Sequence, residues 1–210
     1  MEKKYILFDN DGVLVETEIW YYEASKRALK EFFDVTLEFD EYMDIMTAGN
    51  GVWVVAVNAT DEEKIIARKQ RDLYYQEYLR TEDIAIENIH KVLKELQKKY
   101  KMGIVTTSRR VDFEIIHKHR GIVDFMEFVL CVEDYPKSKP HPDPYLKGLE
   151  LFNAKKEETI IIEDSQRGLI SANRAGIDCV IVHNEFTKTQ NFSTAISKIN
   201  SLSELHTLLK

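Results

Sequence analysis

"ILFDNDGVLVETE", residues 6 to 18, decides how this chain is read. A short apolar run, Ile6 to Phe8, stops at two aspartates one residue apart, and Gly12 follows at once. A buried strand has no structural use for Asp9 and Asp11 at its end. Two carboxylates about 4 Å apart repel by roughly 4 kcal/mol at an effective dielectric near 20. A bound cation is the usual compensation. Taken alone, the same residues also suit a turn, because Asp and Gly both favour one.

Outward from that stretch the chain changes texture twice. Lys4 to Phe8 reads as a short buried strand. From Glu16 to about Arg80 the segments are charged and aromatic-rich. "EIWYYEASKRALKEFF" and "DEEKIIARKQRDLYYQEYL" carry apolar residues at helical spacing. Between them "TAGNGVWVVAV" is a glycine-marked loop running into an apolar stretch whose type the pattern leaves open. After Glu87 helices and strands alternate: "ENIHKVLKELQKKY", "MGIVTTS", "RRVDFEIIHKH", "FVLCVED", "DPYLKGLELF", "TIIIED", "SQRGLISANRAG" and "DCVIVH". Uniformly apolar strands between helices indicate a parallel sheet covered on both faces. The helical block after the first strand then reads as an insertion into an α/β core.

Bulk properties narrow the function. At 210 residues the chain holds one large domain, or a domain with a smaller insertion. Hydrophobic residues make up 44%, enough for a real core, and the net charge of -7 argues against a nucleic-acid partner, which needs a basic face. No apolar stretch approaches membrane-spanning length, so no membrane partner is expected. "MEKKYILFDND" does not read as a secretion signal, because its apolar run is short and ends in acid. Cys131 and Cys179 lie in apolar surroundings and are expected to pack rather than pair, which points to the reducing cytoplasm.

In parallel α/β sheets, ligands sit beyond the carboxyl ends of the strands. Those ends carry Asp9 and Asp11, then Thr106, Thr107 and Ser108, then the loop "YPKSKPHPDPY" with Lys139, and finally Glu163 and Asp164. Acids, hydroxyls and one lysine collected at one rim are what phosphoryl transfer through an aspartyl-phosphate requires. The hydroxyls have a duller reading as caps of the helix beginning near Arg109; we assign Thr106 to the site and Ser108 to capping. His141 is given no role. There is no HExxH, GxSxG, Walker sequence or GxGxxG, with Gly49 and Gly51 supplying only half of the last.

"DNDGV", "GIVTTS", "KSKPHPDPY" and "IIIEDSQRG", in that order, resemble the four motifs of the haloacid dehalogenase superfamily, near its phosphoglycolate phosphatase and β-phosphoglucomutase branch. The resemblance implies a Rossmann-like α/β core with strand order 3-2-1-4-5, residues 1–15 and 84–210, and an inserted helical cap, residues 16–83. It implies that Asp9 is the nucleophile and that Asp11 is the acid and base. Thr106, Thr107 and Lys139 would bind phosphate. Magnesium would be held by the Asp9 carboxylate, the Asp11 carbonyl and Asp164, with Glu163 reaching it through a metal-bound water. The activity implied is a magnesium-dependent phosphatase for a small phosphorylated metabolite. A sugar-phosphate mutase is the alternative, and a non-catalytic binding protein of the same fold a more distant one. Asp11 argues against haloalkanoate dehalogenases, which lack the second aspartate. Where the family often has Asp-Ser after "GVLV", this chain has Glu16 and Thr17. In the mutase an arginine follows the cap's glycine loop; "GNGVWVVAV" has no basic residue, although Lys64, Arg68 or Arg71 could replace it.

Overall fold

A computed structural model of the chain describes residues 2–48 and 50–209; Gly49 of the glycine-marked loop falls outside them. The chain divides into two compact units, residues 1–16 with 85–210, and residues 17–84.

The first unit is built on β1 (Tyr5–Phe8), β2 (Lys101–Val105), β3 (Phe128–Leu130), β4 (Thr159–Glu163), β5 (Asp178–Val182) and β6 (Ser197–Ile199), in one sheet ordered β3-β2-β1-β4-β5-β6. Every pairing is parallel. The expected strand order holds, and β6 adds an edge that the sequence pattern did not reveal. Only three residues long, with Lys198 exposed, "SKI" shows no apolar run.

The central strands are apolar on both faces because both are covered. Leu7, Val105, Ile161 and Ile181 pack on one side with Tyr145, Leu149, Leu169 and Ala172. Those last four come from α6 (Asp143–Phe152) and α7 (Gln166–Ala175). Ile6, Phe8, Ile104, Ile160 and Ile162, the alternate residues, are equally inaccessible. At about 25 cal/mol per Å² of apolar surface removed from water, this double burial dominates the unit's stability.

One expected strand is shortened. "FVLCVED" was expected to stay extended as far as Glu133, but β3 ends at Leu130 and Val132–Asp134 form a single 3₁₀ turn. The Asp134 carboxylate accepts from the Cys131 N–H at 2.7 Å and curls the chain back. Cys131 and Cys179 are both buried free thiols.

The second unit is helical: α1 (Glu18–Phe33), α2 (Phe39–Thr47) and α3 (Asp61–Thr81); α4 (Ile89–Leu96) follows in the first unit. The apolar stretch of open type, Val52–Val55, is a 3₁₀ turn. A capping box starts α3, with the Thr60 hydroxyl accepting from Glu63 N–H and the Glu63 carboxylate from Thr60 N–H. Val15 bridges to Ala85, so the chain leaves the first unit and returns to it side by side.

Candidate active site

Strand register brings the acids together. Phe8 of β1 is level with Ile104 of β2 and Ile162 of β4, so Asp9, Val105 and Glu163 reach the same carboxyl edge. Asp9 N–H donates to the Ile162 carbonyl at 2.9 Å and continues that ladder by one residue.

Lys139 anchors the arrangement. Its Nζ donates to the Val105 carbonyl at 2.9 Å and to Glu163 Oε1 at 2.8 Å, and pairs with Asp9 Oδ1 at 2.9 Å. The residue is 4% exposed, so all three N–H groups of the ammonium are spent inside the protein. Glu163 is fully buried and saturated. Besides Lys139, its Oε1 accepts from the Tyr145 hydroxyl at 2.7 Å. Its Oε2 accepts from the N–H groups of Asp164 and Ser165 and from the Ser165 hydroxyl, at 3.0 to 3.2 Å. A Cβ at position 168 would lie 1.7 Å from Glu163 Oε1, so only Gly168 lets α7 begin this close to the carboxylate.

Asp164 is 3% exposed, and its Oδ2 accepts from Asn184 Nδ2 at 2.8 Å. Gly12 has φ of +77°, and a Cβ there would lie 2.2 Å from Asp164 Oδ2. The glycine after the aspartates is therefore needed twice, for its backbone angle and for the approach of Asp164.

Asp11 has different company. Its Oδ2 accepts from Ser108 Oγ at 2.6 Å, Thr106 Oγ1 at 3.2 Å and Asn10 Nδ2 at 3.3 Å. Thr106 thus joins Asp11, whereas the Thr107 hydroxyl accepts from Arg167 at 3.2 Å. Ser108 corrects the sequence reading. The helix α5 (Arg110–His117) has Arg109 at its cap position and no side-chain cap bond. Ser108 lies one residue too early to serve it, and an anionic acceptor outbids a helix end.

Three charges are set by this geometry. Burial first, then the Glu163 charge, pushes Asp9 up to about 7 against the pull of Lys139. Burial also works against the Lys139 ammonium, but Asp9 and Glu163 outweigh it and hold its pKa above the usual lysine value. Glu163 is kept below the ordinary carboxylate value: burial opposes ionisation, and Lys139, Tyr145 and the Ser165 N–H more than offset it.

Asp9, Glu163 and Asp164 each offer a carboxylate oxygen within 4.8 Å of the others. Hard oxygen donors clustered with excess negative charge fit a divalent cation. Sequence reading gives Ser108 to the helix and passes over Asn10, Tyr145, Asn184 and His117. Two of them left a readable signal: Asn10 stands between the aspartates, and Tyr145 follows Lys139 at the start of the next helix.

A parallel sheet carrying acids, hydroxyls and a buried lysine at its carboxyl edge defines an enzyme of the hydrolase class with a Rossmann-like core. The chain belongs to the haloacid dehalogenase-like hydrolase family, whose model matches residues 6–182. Pyrophosphatase PpaX from Bacillus mycoides (strain KBAB4) is 28% identical over 189 residues, covering 87% of this chain and 84% of that protein. A structure described as a predicted phosphoglycolate phosphatase from Haemophilus somnus 129pt superposes with a TM-score of 0.87 at 21% identity, covering 100% of this chain and 99% of the other. A CbbY variant from Rhodobacter sphaeroides in complex with xylulose-(1,5)-bisphosphate gives 0.82 at 21% identity, covering 97% and 96%. Those two structures establish likeness of fold. Among the described residues, no helix is long and apolar enough to cross a membrane.

Proposed function

We propose that this chain is a magnesium-dependent phosphatase that hydrolyses a small phosphorylated metabolite through an aspartyl-phosphate on Asp9. The observation that carries the reading is Lys139 held between Asp9 and Glu163, at 2.9 and 2.8 Å. Glu163 fixes the ammonium, and the ammonium opposes the cost of ionising the buried Asp9. Asp9 attacks phosphorus in line, and the P–O ester bond breaks with its electron pair on the ester oxygen. That oxygen takes a proton from Asp11, so the alcohol leaves neutral. Asp11, now a carboxylate, then takes a proton from the water that cleaves the acyl-phosphate. With substrate bound, the Thr106 hydroxyl would turn from Asp11 to a phosphoryl oxygen, joined by the N–H groups following Asp9, and Thr107 would support them from the edge of the site.

Asp9 and Asp164 would hold the magnesium with their carboxylates and Asp11 with its carbonyl. When bound, the ion supplies positive charge to the phosphoryl oxygens as the bond breaks. Glu163, with both oxygens occupied, would act through a water. We assign residues 1–15 and 84–210 as the catalytic core and residues 16–83 as the cap. Two buried free cysteines support a cytoplasmic setting.

A sugar-phosphate mutase is the second reading. The deciding experiment incubates the protein, with magnesium and again with chelator, with inorganic pyrophosphate, a compact alkyl phosphate, and β-glucose 1-phosphate plus a trace of the 1,6-bisphosphate. Phosphate release only with magnesium, and a phosphate trapped on Asp9 by acid quench and mass spectrometry, is expected. Turnover unchanged by chelator would remove the metal. Glucose 6-phosphate formed faster than phosphate would replace the phosphatase with the mutase.

A further inference from the structure

Behind Asp11 lies a buried contact that the reaction scheme above does not use. His117, in the last turn of α5, is 8% exposed, and Asn10 is fully buried. His117 Nε2 lies 2.7 Å from Asn10 Oδ1, and Asn10 Nδ2 lies 3.3 Å from Asp11 Oδ2. We propose that His117 is a positioning residue, acting through Asn10 to hold the Asp11 carboxylate in place for proton exchange. This rests on the phosphatase reading and adds to it the orientation of its acid.

The direction of each bond follows from chemistry. An ionised carboxylate only accepts, so the Asn10 atom facing Asp11 is the NH₂ group. Its Oδ1 then faces His117, and the imidazole must donate from Nε2. A neutral ring bonded in this way keeps its lone pair on Nδ1. That Nδ1 is buried and has no hydrogen-bond partner among the described residues. A proton there would be an unsatisfied buried donor. Burial accordingly holds His117 down to about 4, with Arg120 adding to the effect and Asp11 opposing it.

The rest of the surroundings keeps the relay stiff. The His117 ring packs on Phe113, one turn earlier, with centroids 4.4 Å apart. The Asn10 carbonyl accepts from the N–H groups of Val13, Leu14 and Val15, so its backbone cannot turn without opening the loop. Asn10 and Ser108 donate to the same Asp11 oxygen, so the carboxylate is held between the loop and the end of β2. A change at His117 therefore reaches the Asp11 carboxylate through Asn10.

The test compares wild type, His117→Phe and His117→Gln on nitrophenyl phosphate and on an alkyl phosphate, with magnesium. Here kcat/KM reports the step that expels the alcohol. Nitrophenolate leaves without a proton and the alkoxide does not, so a misoriented acid harms the alkyl ester selectively. The ratio of the two values is independent of how much protein is folded. The ratio is expected to fall about tenfold in His117→Phe, the weight of one such hydrogen bond. It should return most of the way in His117→Gln, whose amide presents an N–H at similar reach. An unchanged ratio in His117→Phe, or no recovery in His117→Gln, overturns the relay. Nitrogen NMR of wild-type His117 should show the proton on Nε2; a proton on Nδ1 overturns it without any substrate. A wild type inactive on both esters would overturn the phosphatase reading and this role with it, whereas an active wild type with an unchanged ratio overturns this role alone.

Discussion

Asp9 and Asp11 are two residues apart in the chain and live in different electrostatic worlds. Asp9 is paired with a buried lysine, has Glu163 as a close like-charged neighbour, and titrates near 7 because burial works against its charge. Asp11 receives two hydroxyls and an amide on one of its oxygens. Lys139 opposes the rise at Asp9 and favours the anion that the proposed attack needs. Neutral donors suit a group proposed to gain and lose a proton without losing its place.

The sharpest way to break that contrast is Asp9→Asn. An amide cannot attack as an anion, and it leaves Lys139 with Glu163 alone. Phosphate release is expected to fall by on the order of 10⁴-fold or more, as for other nucleophiles. Steady-state assays with excess magnesium measure it, and substantial turnover by the variant would move the nucleophile elsewhere.

Asp11→Asn should do less, and less evenly. General acid help is worth roughly 10²- to 10⁴-fold, and it matters where the leaving oxygen is basic. In single-turnover experiments the formation of phosphoenzyme from an alkyl phosphate should slow by such a factor, with nitrophenyl phosphate much less affected. Hydrolysis of the intermediate should slow with both esters, because Asp11 then acts as base. Equal losses in the first step would show the two aspartates sharing one role.

The Asp9 side of this contrast was far more legible in the sequence than the Asp11 side. Asp9, Lys139, Glu163 and Asp164 each stand at a strand end or in a loop between marked elements, and strand register brings three of them together. The buried strands were readable for the same reason, since a two-sided apolar run has few alternatives. The roles of Ser108 and His117 were not readable, because they depend on distances between separate elements. His117 is 107 positions from Asn10 and reads locally as an ordinary helical residue. The Ser108 side chain could equally have turned to the helix, and only the nearby carboxylate settles the matter. The short β6 was hidden by the lack of apolar alternation.

A pH series tests the neutral side of the site. The folded value of His117, about 4, lies below its ordinary 6.5. Between those limits the unfolded chain binds more protons than the folded one, so stability rises with pH there. The contribution is complete above about pH 6.5 and is lost as pH falls towards 4, reaching at most about 3 kcal/mol. Denaturant unfolding of wild type and His117→Gln across that range isolates it, since glutamine does not titrate. The variant should gain relative stability as pH falls; a difference that stays flat would mean that His117 is not held neutral.

The smallest expected effect comes from Ser108→Ala, and it separates two readings of one hydroxyl. Ser108 Oγ donates to Asp11 Oδ2 at 2.6 Å, the shortest of the three bonds on that oxygen. Hydrogen bonds to charged groups contribute about 1.5–3 kcal/mol. Thr106 and Asn10 remain in the variant, and water can enter the partly exposed space, so the low end applies. The kcat/KM for an alkyl phosphate should fall about tenfold, with little change for nitrophenyl phosphate and little in thermal stability. A lost helix cap would read the other way, costing about 1 kcal/mol of stability and leaving the kinetics alone. Because α5 starts beyond Ser108 without a side-chain cap, the kinetic loss is the expected result. A drop in melting temperature with unchanged kcat/KM on both esters would return Ser108 to the helix and leave Asp11 with two donors that matter.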